Sequence, residues 1–528
     1  MSTHPGFDKI CVVVLLLTLV LTVLFMNGER LGIEVIIDED AENHSASVYF
    51  TANDMDGEWD SSSANVITLE GSSARISGKG AYFYDGNLVI SNAGKYVLSG
   101  QLEDGCIVVD AHRSSKVWLL LDGVEIFNDD DSCFRVEQAE KVFVTLAEGS
   151  ENRLASGEDA SAEALAGKRG GAVFARDDLT INGSGSLAIS GGYKHGVDAN
   201  DDVVFAGGSI SITAARDAVH VKESLRIRET DLTVEAEDDG LVVKNTDGYL
   251  YIESGSLNLT AEDDAVHTTG KVTVAGGDLT ISAGDDAIHS DAEIAVEGGT
   301  VFVGECYEGM EAPVIRIAGG ETVIYPKDDG LNANGIIEKP FIAISGGSLT
   351  VINRAARDAD GLDSNGDILI SGGTVRVSIV DGGTNNALDC GSESGGVCEI
   401  TGGSVIACGG SGMTEKISAS STQCSVFCYL DESAAAGTAV RLQDRDGNTL
   451  AEWEVPCSFS SVVISCPEMA LGETYLLAIG TNTEEVTLEE AAMSIGDAQR
   501  MMFGGMGWPG GGPGFGERPK LPFDGEKP

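Results

Sequence analysis

A chain of 528 residues that is 42% hydrophobic and carries a formal charge of −51 has enough apolar side chains for a core, so its charge does not mark it as disordered. The acidic surface excludes nucleic acid and anionic lipid as direct partners and is compatible with divalent cations. The length fits several ordinary domains or one long repeat array, and the 69 glycines lack the three-residue period of collagen.

The first element, residues 1–28, contains an uncharged run from Ile10 to Met26 preceded by Lys9. No small-x-small cleavage site follows it, and it reaches the short end of a membrane span. It reads as a signal anchor, with a cleaved signal peptide as the alternative. Either reading places everything after about residue 30 outside the cytoplasm, held to the membrane only by this segment or secreted. Residues 29–58 are an acidic linker. Residues 59–165 read as short strands and turns that start and cap the next region, as in NLVISNAGKYVLSG (87–100). Of the eleven cysteines one, Cys11, lies in the apolar run. The others include no CxxC, which argues against a zinc knuckle. Local disulfides and buried free thiols both remain open.

The region 166–413 repeats. A small residue after a polar, mostly acidic position recurs at Gly196, Ala218, Gly240, Ala265, Ala287, Gly309, Gly330, Gly361 and Ala387, at intervals of 21 to 31 residues of which four of eight are 22. A Gly-Gly followed by alternating aliphatics accompanies it, as in GGDLTI (276–281) and GGSLTV (346–351). Short strands at this period, with no helical segment between them, predict a right-handed parallel β-helix. The residue after each anchor is apolar in all nine repeats, from Val197 to Leu388, and faces the core. The anchor suits a tight bend. The slot before it reads His195, Asp217, Asp239, Asp264, Asp286, Glu308, Asp329, Asp360 and Asn386. Two residues after it come Asp198, His220, Val242, His267, His289, Glu311, Asn332, Asp363 and Asp389. Both polar slots are expected to point outward along one edge.

Residues 414–487 predict a small β domain, in which Asp446-Gly447 is a hairpin turn rather than a calcium loop. Residues 488–528 form a Gly/Pro-rich, mostly disordered tail, and 488–502 has a helical pattern.

Stacked carboxylates on neighbouring coils lie about 4.8 Å apart. Two such charges repel by about 0.9 kcal/mol in water and roughly 3.5 kcal/mol at an effective dielectric near 20. A cation would remove that repulsion, and the hard oxygen donors suit several Ca²⁺ ions. The candidate ligands are Asp217, Asp239, Asp264, Asp286, Asp291, Asp329, Asn332, Asp360, Asp363, Asn365 and Asp389. The expected cross-coil pairs are Asp239 with Asp264, Asp264 with Asp286, and Asp329 with Asp360. The alternative is a solvated edge screened by salt. His220, His267 and His289 allow zinc, but surface hydrogen bonding is the better reading.

GKYVLSG (94–100), KVWLLLDGVEI (116–126), KVFVTLAEGSEN (141–152), DDLTINGSGSLAISGGYKHGV (177–197), the acidic repeats and FSSVVISCPEMALGETYLLAIG (459–480) occur in this order. Over roughly residues 50–480 the chain resembles bacterial extracellular calcium-binding parallel β-helix proteins that bind cellulose and pectic polysaccharide, with a helix similar to that of pectate lyases. The resemblance implies a non-catalytic polysaccharide-binding protein and calcium at the repeats. The family's usual Asp-Gly is replaced by Ala at 218, 265, 287 and 387, and His195 and Asn386 stand where it has Asp.

The reading is therefore a monomeric, calcium-stabilised polysaccharide-binding protein, with an acidic pectic glycan favoured over cellulose. Aromatics make up only 6% of the chain, and Tyr193, Tyr249, Tyr251, Tyr307 and Tyr325 form no ladder at the repeat spacing. A calcium-dependent polysaccharide lyase is one alternative, with Lys194, Arg216, Lys244, Arg354 or Arg357 as base. A structural surface scaffold is the other.

Overall fold

The computed structural model describes residues 49–59, 64–335, 339–355, 359–382, 384–412 and 415–496. The apolar run 10–26, most of the acidic linker, Arg357 and the Gly/Pro tail lie outside the described residues. Among those described, no helix is long and apolar enough to cross a membrane.

The chain winds into an all-β solenoid of about 12 turns, as the 22-residue interval predicts. One coil shows the plan. A short strand, Val219–Val221, is followed by a middle strand, Ser224–Arg228, and a long strand, Thr230–Ala236; Leu241–Val243 then begins the next coil. Each strand lies parallel to its counterpart one coil on, with Val219 opposite Leu241, Leu225 opposite Leu250, and Leu232 opposite Leu257. The short strands stack into a 14-stranded sheet, and the middle and long strands share a 25-stranded one.

Apolar residues make this shape because every second side chain of a strand faces the same way. The long strand Thr230–Ala236 alternates buried and exposed along its whole length. The slot after the anchor is solvent-free, with Val219, Leu241, Val266, Ile288, Met310, Leu331 and Leu362 all at 0% exposure. Each such side chain contributes about 1.5–3 kcal/mol on burial. Coils approach closely only where side chains are missing. Gly299 has φ +77°, and a Cβ there would stand 2.3 Å from the Gly277 carbonyl oxygen of the preceding coil, so the turn between middle and long strands requires glycine.

Both ends of the stack switch to antiparallel pairing. Asn65–Gly71 pairs with Ala74–Ser77, and Ala81–Tyr84 with Asn87–Ile90. At the other end Cys398–Gly409 pairs antiparallel with Phe459–Ser465, which pairs antiparallel with Ser425–Ala434. Such pairs leave no parallel edge for another coil to extend. A four-stranded antiparallel sheet, from Thr438–Gln443 to Asn482–Thr487, completes the C-terminal unit. Its first turn is a hairpin in which the Asp444 carboxylate accepts the backbone N–H groups of Asp446 and Asn448.

Two expectations are corrected. Ala492–Ile495 is not helical but a strand parallel to Ser425–Ala434, because an unpaired edge recruits it. The last part of the acidic linker is not a spacer but a strap. Phe50 and Asp54 are buried, Tyr49 stacks on Tyr251 at 3.7 Å, and Asp54 meets Lys141 Nζ at 2.8 Å and accepts a 2.6 Å hydrogen bond from the Thr180 hydroxyl. Burial works against the Asp54 carboxylate, yet Lys141 and Thr180 hold it below the usual range. Of the two cysteine readings, the structure has buried free thiols: Cys106, Cys133, Cys306, Cys390, Cys398, Cys408, Cys424, Cys428, Cys457 and Cys466 form no disulfide.

Candidate functional site

The turn from long to short strand carries the acidic slot on every repeat. The carboxylates before the anchor do not point outward. Asp217, Asp239, Asp264 and Asp286 are 5%, 8%, 7% and 4% exposed. Their inward position has a backbone cause. The N–H of Asp264 donates to Asp239 Oδ1 at 3.2 Å, that of Asp286 to Asp264 Oδ1 at 2.9 Å, and that of Asp360 to Asp329 Oδ1 at 2.7 Å. In the other direction the anchor N–H of one coil donates to the carbonyl of the acidic residue on the next, at 2.8 Å from Gly240 to Asp264. Each aspartate thus satisfies a buried backbone donor that would otherwise cost about 1–3 kcal/mol. Neighbouring anchors press together: a Cβ on Gly240 would lie 2.4 Å from the Ala265 carbonyl oxygen.

The ladder divides by what faces these carboxylates. From residue 195 to 289 the partners are histidines, a pairing that slot-by-slot reading of the sequence does not reveal. His267 Nδ1 lies 2.9 Å from Asp264 Oδ2 and 3.5 Å from Asp239 Oδ2. His289 Nδ1 lies 3.0 Å from Asp286 Oδ2 and 3.1 Å from Glu311 Oε2. His195 and His220 stack at 4.6 Å with 14° between their planes. Hydrogen bonds to Asp286 and Glu311, against the pull of burial, raise His289 to about 11. Asp286 and Glu311 lean on one imidazolium: burial lifts the more enclosed Asp286, while His289 holds Glu311 at about 2. Parallel rings do not aim their lone pairs at one point, so the His195–His220 stack is poorly arranged for zinc.

From residue 308 onward the facing positions are all oxygen or amide. Glu308, Asp329, Asp360 and Asn386 continue the acidic slot. Beside it Glu311, Asn332, Asp363 and Asp389 lie in strand register, each opposite the next. Asn332 is buried and donates to Glu308 Oε2 at 2.8 Å; Asn334 donates to Glu311 Oε1 at 2.7 Å. Burial first, and then the charges of Asp363, Asp360 and Asp328, push Asp329 up to about 9. Burial likewise lifts Glu308 to about 7 and Asp239 to about 6. Such carboxylates gain from a proton, a histidine or a cation.

The expected cross-coil pairs are brought together. Asp239, Asp264 and His267 place ligand atoms within 4.8 Å of one another, as do Asp264, Asp286 and His289, and also His195, Asp217 and His220. The outer acids Asp263 and Asp285 join Asp264 in a similar group. Two candidates stand outside the column. Asp291 is 56% exposed and lies 3.5 Å from His289 Nε2. Asn365 is exposed at the end of its short strand. Both follow the short strand, where side chains leave the turn.

Of the aromatic candidates Tyr307 is exposed, while two others are covered. Tyr251 is covered by Tyr49, and Tyr325 packs edge-on against Phe302 at 5.9 Å. Of the lyase-base candidates, Arg216 is ion-paired with Asp238, Arg354 lies over the Tyr325 ring, and Lys194 lies over the Tyr193 ring.

Residues 84–286 and 283–426 match the profile of a family described as carbohydrate-binding domain-containing protein. The chain belongs to this carbohydrate-binding family. A carbohydrate-binding domain-containing protein of Acetivibrio thermocellus is 30% identical over 190 residues, which span 35% of this chain and 66% of that relative. A solved structure described as a polysaccharide lyase-like protein from C. thermocellum, in a gadolinium derivative, aligns at 27% identity with a TM-score of 0.43, over 44% of this chain and 96% of that one. The family match covers the turns that carry the whole carboxylate column.

Proposed function

We propose that this member of the carbohydrate-binding family is a non-catalytic extracellular protein, membrane-anchored or secreted, that binds an acidic pectic glycan and is stabilised by several calcium ions. The observation that carries the reading is the run of half-buried carboxylates between residues 308 and 389, which beyond Glu311 has only oxygen and amide groups facing it among the described residues. Asp329, Asp360, Asp363, Asn332 and Asp389 would hold calcium, with Asp217, Asp239, Asp264 and Asp286 as further ligands where histidine yields. Asp291 and Asn365, which the sequence also proposes, stand outside that column. When bound, calcium supplies the positive charge that offsets the column and lets a carboxylated sugar approach an acidic surface. The protein's own part is to hold oxygen donors in two registers on successive coils and to exclude water beneath them.

Sedimentation with polygalacturonate and with cellulose, each in calcium and in EDTA, tests the proposal. Retention on polygalacturonate that chelation abolishes is the expected result. Retention indifferent to chelation would remove calcium from the binding step, and preference for cellulose would replace the acidic ligand. Ultraviolet absorbance from unsaturated sugar product would convert the reading to a lyase. Flat responses on a glycan array with metal-dependent melting would leave a scaffold.

A further inference from the structure

Acidic residues outnumber basic ones 84 to 33 in this chain, yet one groove near its N-terminal coils is basic. It encloses about 520 Å³, within the range of small-ligand sites, and five cations line it: Lys168, Arg169, Arg176, Lys194 and Lys222. Two of these are already paired. Arg169 holds Asp131 through Nε and Nη2 at 2.8 and 2.5 Å, and Arg176 Nε holds Glu137 at 2.8 Å. The groove's own acid, Asp198, is also committed, accepting from the Gly170 N–H at 3.0 Å and facing His220 Nδ1 at 3.2 Å. Lys168, Lys194 and Lys222 form no ion pair with a carboxylate among the described residues; Lys222 Nζ donates to the neutral Asn200 Oδ1.

Their placement is built into the coils. Lys168 follows the short helix Ala162–Ala166 and takes φ +55°, a left-handed conformation that costs a side-chain-bearing residue roughly 1–2 kcal/mol. Lys194 lies over the Tyr193 ring, 5.2 Å from its centroid. Arg176, Asn200 and Lys222 each follow a short strand on successive coils, locked by Asn200 N–H to Ala175 O at 2.8 Å and Lys222 N–H to Ala199 O at 3.1 Å. The row continues to Lys244, whose N–H donates to Val221 O at 2.9 Å. Lys222 and Lys244 thus stand on adjacent coils, about 4.8 Å apart along the solenoid axis, with Arg176 two coils before Lys222 and Asn200 between them. Leu165, 54% exposed, and the Tyr193 ring give the groove apolar contact.

We infer that this groove binds a stretch of carboxylated sugar chain directly, without metal. The inference rests on the acidic-glycan reading above and adds a second, lysine-based contact to it. A polyuronate carries one carboxylate on each sugar, so a chain laid along the axis meets a cation on more than one coil. Sugar faces suit a tyrosine ring, and the amide N–H groups of Asn200, whose Oδ1 accepts from Lys222, can donate to hydroxyls. A nucleic acid fits less well, because its denser charge would extend past the groove onto an acidic surface.

The test is calorimetric titration of the full chain with trigalacturonate in EDTA, repeated with its uncharged methyl ester. The triple variants K168Q/K194Q/K222Q and K168R/K194R/K222R are run beside it, with thermal melts to confirm folding. Binding in EDTA that the Gln variant weakens at least about ten-fold, that the Arg variant keeps and that the ester lacks is expected, since three rim charges contribute together. Binding in EDTA that the Gln variant leaves intact overturns the groove. Binding only with calcium, equal in all variants, overturns the groove while the calcium-dependent function stands. Absence of binding under both conditions overturns the acidic-glycan reading and the groove with it.

Discussion

The carboxylate ladder has one backbone role and two electrostatic solutions. On coils of both segments, residues 195–289 and 308–389, acidic residues before the anchor accept a hydrogen bond from the N–H of their successor. Asp264 does so for Asp286 at 2.9 Å, and Asp329 for Asp360 at 2.7 Å. The acidic slot therefore has a structural role that recurs in both segments. What differs is the neutralising partner. Imidazoles face Asp264 and Asp286, whereas Asn332, Asp363 and Asp389 stand in the equivalent register beside Asp329 and Asp360. The lesson is that a periodic acidic motif does not by itself specify a metal site, because the residue three positions on decides whether a histidine or only oxygen is at hand.

The largest effect expected is on the calcium response. Saturating calcium at 100 times its dissociation constant adds about 2.7 kcal/mol per independent site. The double variant D329N/D360N keeps the side-chain acceptors and should lose most of the calcium-induced rise in melting temperature, while D239N/D264N should keep most of it. Equal losses would break the distinction between the two segments.

A second measurement sharpens the comparison through pH. Asp239, Glu308, Asp286 and Asp329 are raised to about 6, 7, 8 and 9, chiefly by burial. Acids with raised folded pKa hold protons that the unfolded chain releases, so their contribution to stability falls as pH climbs from about 4 to about 9. His289, raised to about 11, adds to the same trend: its stabilisation is full below about 6.5 and is lost toward pH 11. Chemical denaturation in EDTA should show stability declining across this window, and calcium should flatten the decline. Stability that rose with pH in EDTA would contradict the buried column.

His289→Gln should cost about 1–3 kcal/mol, because Asp286 and Glu311 lose their shared imidazolium. His289→Asp turns that coil into an oxygen-only coil, and calcium titration should then report a higher stoichiometry than in the parent. An unchanged count would show that histidine is not what separates the segments. Smallest is Asp264→Asn, expected below about 1 kcal/mol because the amide oxygen still accepts from Asp286; Asp264→Ala should cost about 1–3 kcal/mol by orphaning that N–H. Urea denaturation of both variants distinguishes the backbone role from a purely ionic one.

Much of the fold was legible before the structure. Spacing of the anchors at 22 residues marked the coil, and the apolar residues from Val197 to Leu388 marked its core. The cross-coil pairs Asp239–Asp264 and Asp264–Asp286 followed from that register. The inward turn of those carboxylates did not follow, since alternation in sequence does not say which backbone donors lack partners. The histidine contacts were hidden because they join slots that were compared separately. The strap was hidden for a different reason: Tyr49 accepts from Arg226, 177 residues away, and no local pattern encodes such a contact.

Residue order alone determined the coil, its period, the glycine-bearing turns and the column in which acids recur, because stacked parallel strands repeat the same environment every turn and so print their geometry as a sequence period. Tertiary structure alone decided that the acids lie buried, which of them face histidine, where the linker folds back as a strap, and that Lys168, Lys194 and Lys222 meet in one groove. These depend on distances between chain segments, and on the loss of water that burial imposes, neither of which a periodicity carries.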